Sequence, residues 1–215
     1  MNRVQLEEAI LRATEVVGQN RVYVFGSQAI LASFEFDALP RRTVLSAEAD
    51  IAPINDIADH LSNQLWAEAG QGSEWANQRD FFIDAVSADT AVLPDGWEDR
   101  ALKIDVPGHP GVVGICPDAV DLCASKLARN EMKDREFVSA LIEAGLVDAR
   151  LLRARFDRII DVRLEPARAR VARQFIIERE QAEHRAGSGQ RRRSRGTAAG
   201  GPYQGRDRPE GPPLG

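Results

Sequence analysis

Pro117 divides this chain into two kinds of sequence, and the division restricts the fold more than any other feature. Before it, short apolar runs alternate with stretches at helical spacing. After it, apolar residues recur only at helical spacing. Short buried strands followed by packed helices exclude an all-β fold and a simple helical bundle, and predict an α/β (α+β) architecture. An apolar fraction of 43% is enough to build a core around such a sheet.

The first half divides further. Leu6, Ile10, Ala13 and Val17 predict an amphipathic helix stopped by Gly18. Val22-Tyr23-Val24-Phe25 reads as a buried strand ended by Gly26-Ser27, with a short helix over Gln28 to Phe34. Glu35 to Thr43 contains Pro40 and two adjacent arginines and reads as a loop. A strand through Glu48-Ala49-Asp50-Ile51-Ala52 to Pro53 precedes a helix marked by Ile57, Leu61, Leu65 and Ala69. Gln71 to Arg79 is polar, Phe81 to Val86 is the clearest strand, and Ala101–Val106 and Val112–Cys116 are two further short apolar runs.

Pro117 suits a helix start because its missing N–H would have no partner there. Val120, Cys123 and Leu127 give that helix one face. Phe137, Leu141 and Ile142, then Leu151, Leu152, Phe156 and Ile159, mark two more, and a last helix is expected from Pro166 to His184. The expected organisation is a small mixed-sheet core with flanking helices over 1–115, a helical C-terminal lobe over 116–186, and a basic tail over 187–215. That tail is too poor in apolar residues to offset the entropy of ordering.

Charge follows the same division. From Gly187 onward six arginines face only Asp207 and Glu210, so a net charge of −5 for the chain leaves residues 1–186 at −9. An acidic body that handles a polyanion needs cations to let it approach. Cys116 and Cys123, seven apart and expected on one helix face, form neither a disulfide framework nor a zinc motif. His60, His109 and His184 lack ligand spacing, and no Walker loop or Gly-x-Ser-x-Gly elbow is present. No apolar run approaches the roughly 20 residues of a membrane span. The expected location is the cytoplasm, because acids occupy the place of a signal peptide's apolar region.

Three pieces carry chemistry. The Gly26-Ser27 turn between strand and helix offers a tight bend, backbone N–H groups and a hydroxyl for an anion, or is simply a turn. Glu48 and Asp50, two apart on a strand, point to one face, where they are either a solvated acidic edge or oxygen ligands for Mg²⁺. Asp84 stands mid-strand among Phe82, Ile83, Ala85 and Val86, a costly place for an acid without an ion pair or a cation. If the two strands are neighbours, the three carboxylates converge as two-metal phosphoryl chemistry requires. Lys126, Arg129 and Lys133, at i, i+3 and i+7, would add positive charge on one helix face, or form a solvated surface.

This order of motifs resembles the DNA polymerase beta-type nucleotidyltransferases. Asp121-Leu122-Cys123-Ala124-Ser125-Lys126-Leu127-Ala128-Arg129 and Lys133-Asp134-Arg135-Glu136-Phe137-Val138 are similar to motifs of the abortive-infection (AbiEii-like) toxin nucleotidyltransferases. The resemblance covers about residues 20–140. It implies that Gly26 and Ser27 hold nucleotide phosphates, that Glu48, Asp50 and Asp84 are metal ligands, that Lys126 contacts the triphosphate, and that Asp134 is a further active-site acid. It implies Mg²⁺ as cofactor, an NTP as substrate, a tRNA or other RNA, or a protein, as acceptor, and a toxin role with a cognate antitoxin. Two features depart from the pattern: a longer gap from Gly26 to Glu48, and Glu in place of the commoner Asp at 48. The alternative is an inactive copy of the fold acting as an antitoxin-like or RNA-binding module. A further possibility confines nucleic-acid binding to Arg191-Arg192-Arg193-Ser194-Arg195.

Overall fold

Asn2 opens the first helix. Its side chain accepts the N–H of Gln5 at 3.0 Å while the Gln5 side chain accepts the Asn2 N–H at 2.8 Å, a reciprocal cap. The resulting helix α1 (Arg3–Val17) ends at Gly18, whose φ of 65° makes the left-handed exit. The computed structural model describes the backbone of residues 1–196 and the side chains of residues 1–185. Residues Met1–Glu180 form one compact unit, so the expected core and most of the expected helical lobe lie together.

Five short strands make one mixed sheet: β1 (Arg21–Val24), β2 (Glu48–Pro53), β3 (Phe82–Ala85), β4 (Leu102–Asp105) and β5 (Val113–Cys116), in the order β3-β2-β1-β5-β4. β1 runs antiparallel to β2 and parallel to β5, β2 parallel to β3, and β4 antiparallel to β5. Alternation separates two faces. Val22, Val24, Ala49, Ile51, Ile83 and Ile104 are fully buried on one face, which α1 and α2 (His60–Ala69) cover. At Gly114 a side chain would come within 2.6 Å of Ile10 Cδ1, so α1 is seated directly on β5. The other face carries Tyr23, Glu48, Asp50 and Asp84.

The mixed α/β class and the three expected strands agree with the sequence reading, the two further apolar runs form β4 and β5, and most differences lie at element ends. Helix α2 starts at His60, and Ile57, expected on its apolar face, is 84% exposed. The Asp56 carboxylate accepts the N–H groups of Leu61 and Ser62 and so moves the start downstream. The expected loop at 35–43 contains two single 3-10 turns, Phe36–Ala38 and Arg41–Thr43. Two short helices, α3 (Glu74–Asn77) and α4 (Trp97–Arg100), occupy stretches to which periodicity assigned no element.

Helix α5 (Ala119–Arg129) begins at neither Pro117 nor Asp118. Asp118 is its cap, accepting the N–H of Asp121 at 2.7 Å, and Pro117 lies outside. Cys116 consequently ends β5 while Cys123 lies on α5, so the two do not share a helix face. Both thiols are buried and free, and burial pushes each up to about 12. Helices α6 (Met132–Glu143) and α7 (Ala149–Phe156) pack around α5. The last helix, α8, runs Pro166–Gly196, past the end expected at His184. Residues 197–215 of the expected basic tail, and the side chains of its Arg191–Arg195 run, lie outside the described residues. Among the described residues no helix is long and apolar enough to cross a membrane.

Candidate active site

The parallel register of β2 and β3 sets Asp50 directly opposite Asp84 and Glu48 opposite Phe82. Residues in register on neighbouring strands share a face, so the three acids lie together on the face not covered by α1 and α2. Asp50 is the innermost. Its pKa is raised to about 6, first by burial and then by the charges of Glu48 and Asp84, with Lys126 and Arg129 opposing. Asp84 is raised as well, by burial and by Glu48. No hydrogen bond contributes to either carboxylate. Lys126 and Arg129, both paired with Asp134, offset the charge on Asp50 only in part.

Gly26 closes the other side. Its φ of 60° and ψ of −164° belong to a region open almost only to glycine. A side chain there would lie 1.8 Å from Asp50 Oδ2. Glycine is therefore demanded twice, by the backbone and by the approach of the carboxylate. The segment after the turn is a six-residue 3-10 helix, Ser27–Ala32. The Ser27 hydroxyl is held by Lys126, whose Nζ donates to Oγ at 3.0 Å.

Lys126 is buried, with 7% of its surface exposed, and its ammonium lies 4.5 Å from the centre of the Phe137 ring. Burial lowers its pKa, against the raising effect of Asp134. Asp134 is wholly enclosed. Arg129 grips it with both nitrogens, Nε to Oδ2 at 2.8 Å and Nη2 to Oδ1 at 2.6 Å, leaving Lys126 Nζ 3.7 Å from Oδ1. The corner between α5 and α6 builds this arrangement. Asn130, left-handed, ends α5 by donating its N–H to the Lys126 carbonyl, and Asp134 caps α6 through the Glu131 N–H. Lys133, expected on the face of Lys126 and Arg129, falls beyond that corner on α6. It is largely exposed and paired with Glu131. The continuous face breaks because the helix does.

A cavity of about 260 Å³ is lined by Gly26, Asp50, Lys126, Arg129, Arg163 and Arg168, among others. The structure therefore brings together Gly26, Asp50 and Lys126 directly, with Ser27 and Asp134 bonded to Lys126 and with Glu48 and Asp84 beside Asp50 on the sheet. Sequence reasoning missed Arg163 and Arg168. They come from the segment before and within α8, and their one available signal, positive charge, is shared by many surface arginines. It also assigned no role to Asp121, which is completely buried between Arg100 and Arg155 at 2.8 and 2.9 Å.

Among the described residues no three acids stand close enough to cage a metal ion unaided. Mg²⁺, however, is commonly bound by one or two carboxylates completed by substrate phosphates and water. The oxygen donors on this face, only partly compensated in charge, suit such a shared site.

Neither curated proteins nor solved structures yielded a match to the chain. The family model described as "Nucleotidyltransferase of unknown function (DUF6036)" matches residues 4–186. That span contains the whole sheet, the Gly26-Ser27 turn, the acidic face and the buried Lys126–Asp134 corner, and on that match the chain belongs to this nucleotidyltransferase family.

Proposed function

We propose that this nucleotidyltransferase is Mg²⁺-dependent and transfers a nucleoside monophosphate from an NTP to an acceptor hydroxyl. The observation that carries the reading is the β2–β3 register: it sets Asp50, which lines the cavity with Gly26 and Lys126, beside Asp84, with Glu48 on the same face. Glu48, Asp50 and Asp84 would hold the metal only together with substrate phosphates and water, since the three do not cage an ion unaided. Bound Mg²⁺ would neutralise charge on the phosphates and on the leaving pyrophosphate. Gly26, against which the Asp50 carboxylate lies, and the Ser27 hydroxyl would hold the phosphates through backbone N–H and O–H donors. Lys126 supplies a point charge to the triphosphate. Asp134, with both oxygens occupied, serves the site by seating Lys126 and Arg129. Most of the rate gain would come from positioning and preorganised charge.

The similarity to abortive-infection toxins extends the proposal to an RNA end, notably of tRNA, or a protein side chain as acceptor, and to a toxin restrained by a cognate antitoxin. The test is incubation with each α-labelled NTP, with and without Mg²⁺, in cell extract. Label incorporated only with Mg²⁺, and lost in Asp50→Asn, is the expected result. An NTP that neither binds nor transfers in the presence of Mg²⁺ would sink the proposal.

A further inference from the structure

Beside the cavity that contains Asp50 and Lys126 lies a second cleft of about 500 Å³, and the two share Phe25, Ala91 and Arg163 in their walls. Their charges are opposite. The first is lined by four cations, Lys126, Arg129, Arg163 and Arg168, and by the single acid Asp50. The second is lined by Asp56, Asp89, Glu98 and Asp161, with Arg163 as its one cation, and Arg163 is already bonded to Asp161. Its wall is aromatic. Tyr23 stacks on Phe25 at 5.7 Å between ring centres, and Trp97 lies against both at 5.5 and 5.9 Å. Tyr23 is on the same face of the sheet as Asp50, so the aromatic wall continues the acidic face.

Phosphates of an RNA acceptor would meet carboxylates here, whereas guanidinium groups would find aromatic faces to stack on and two acids to pair with, Asp89 and Glu98 (which accepts the Tyr23 hydroxyl through one oxygen), Asp56 being held by Leu61 and Ser62 and Asp161 by Arg163. We propose that this cleft receives the acceptor, and that the acceptor is an arginine-rich peptide segment carrying a serine or threonine hydroxyl. This rests on the nucleotidyl-transfer reading above and chooses within it. In the reaction the hydroxyl oxygen forms a bond to the α-phosphorus, the bond from that phosphorus to the pyrophosphate oxygen breaks, the hydroxyl proton goes to water and pyrophosphate leaves. Because the cleft adjoins the first cavity at Phe25, a hydroxyl at the end of a docked segment can face a nucleotide beside Asp50.

The test uses the full chain, Mg²⁺ and each α-labelled NTP, with three acceptors offered separately. These are the peptide Gly-Gln-Arg-Arg-Arg-Ser-Arg-Gly-Thr (the sequence of residues 189–197, itself an arginine-rich hydroxyl segment), the same peptide with every Arg replaced by Gln, and total tRNA. NTP binding is measured in parallel. Label is expected on the arginine peptide and at least tenfold less on the glutamine peptide. Glu98→Lys, and separately Trp97→Ala, should raise the KM for the peptide at least tenfold while NTP binding stays within twofold, since neither residue lines the first cavity. Label on tRNA alone, equal labelling of both peptides, indifference to both substitutions, or bound NTP with no labelled peptide would each overturn the assignment. Failure of the NTP to bind at all would instead overturn the transfer reading on which it rests.

Discussion

Two carboxylate sites in this molecule, one buried and one half-buried, have opposite designs. Asp121, on α5, is wholly enclosed and fully answered: Arg100 binds one oxygen, Arg155 the other, and the Asp118 cap holds its backbone. Asp50, on β2, is surrounded by two further acids and accepts no hydrogen bond that would lower its pKa. The first ties α4, α5 and α7 together and leaves nothing for a ligand. The second stores an electrostatic deficit that a cation with phosphates would remove. An acid with its partners supplied by the chain belongs to the fold, and one left without them is a place where a ligand can supply them.

The largest expected effect breaks the answered site. Asp121→Ala leaves Arg100 without its acid and Arg155 with Asp118 alone, at 3.4 Å, and should cost about 3–5 kcal/mol, read as a loss of folded protein in urea titrations. A change below about 1 kcal/mol would mean that the trio is not what joins these helices.

Asp50→Asn should do the reverse to stability while removing function. The sign follows from the raised pKa of about 6 against an ordinary 3.8. Folded protein holds the Asp50 proton more tightly than unfolded protein, so unfolding releases it between those values. In metal-free buffer this contribution is most favourable below about pH 4, declines as the pH climbs, and is lost above about 6. The two-unit difference amounts to at most about 3 kcal/mol. At pH 7.5 without divalent ions Asp50→Asn should be more stable than the parent, and its transfer activity should fall at least about a hundredfold. Added Mg²⁺ should raise the Tm of the parent and not that of the variant. Equal stability of the two proteins across pH 4–8 would show that Asp50 carries no deficit.

Smallest, Lys126→Ala should weaken NTP binding by roughly 1.5–3 kcal/mol, the range of a hydrogen bond to a charged group. Titration calorimetry at low salt reads it directly, and an unchanged affinity would confine Lys126 to holding Ser27 and Asp134.

Periodicity made the strands and most helices legible, because spacing of two or about 3.6 reports burial directly. It failed where a side chain outbid it. Asp56 delays α2, Asp118 displaces Pro117 from the start of α5, and Asn130 breaks the face that Lys133 was to share. Arg163 and Arg168 were invisible for another reason. What marks them is proximity to Gly26 and Asp50, more than a hundred residues earlier in the chain, and no local pattern encodes that distance.

By itself, then, the sequence determined which side chains can carry charge, and that Glu48 and Asp50 must share a face, since alternation along one strand is a local property. Whether Asp84 joined them depended on register. A shift of β3 by one residue would have turned its carboxylate to the opposite side of the sheet. The same holds for Lys126, whose place against Ser27 rests on how α5 packs against the 3-10 segment Ser27–Ala32. Only tertiary structure decided these, because pairing and packing compare residues that the chain keeps far apart.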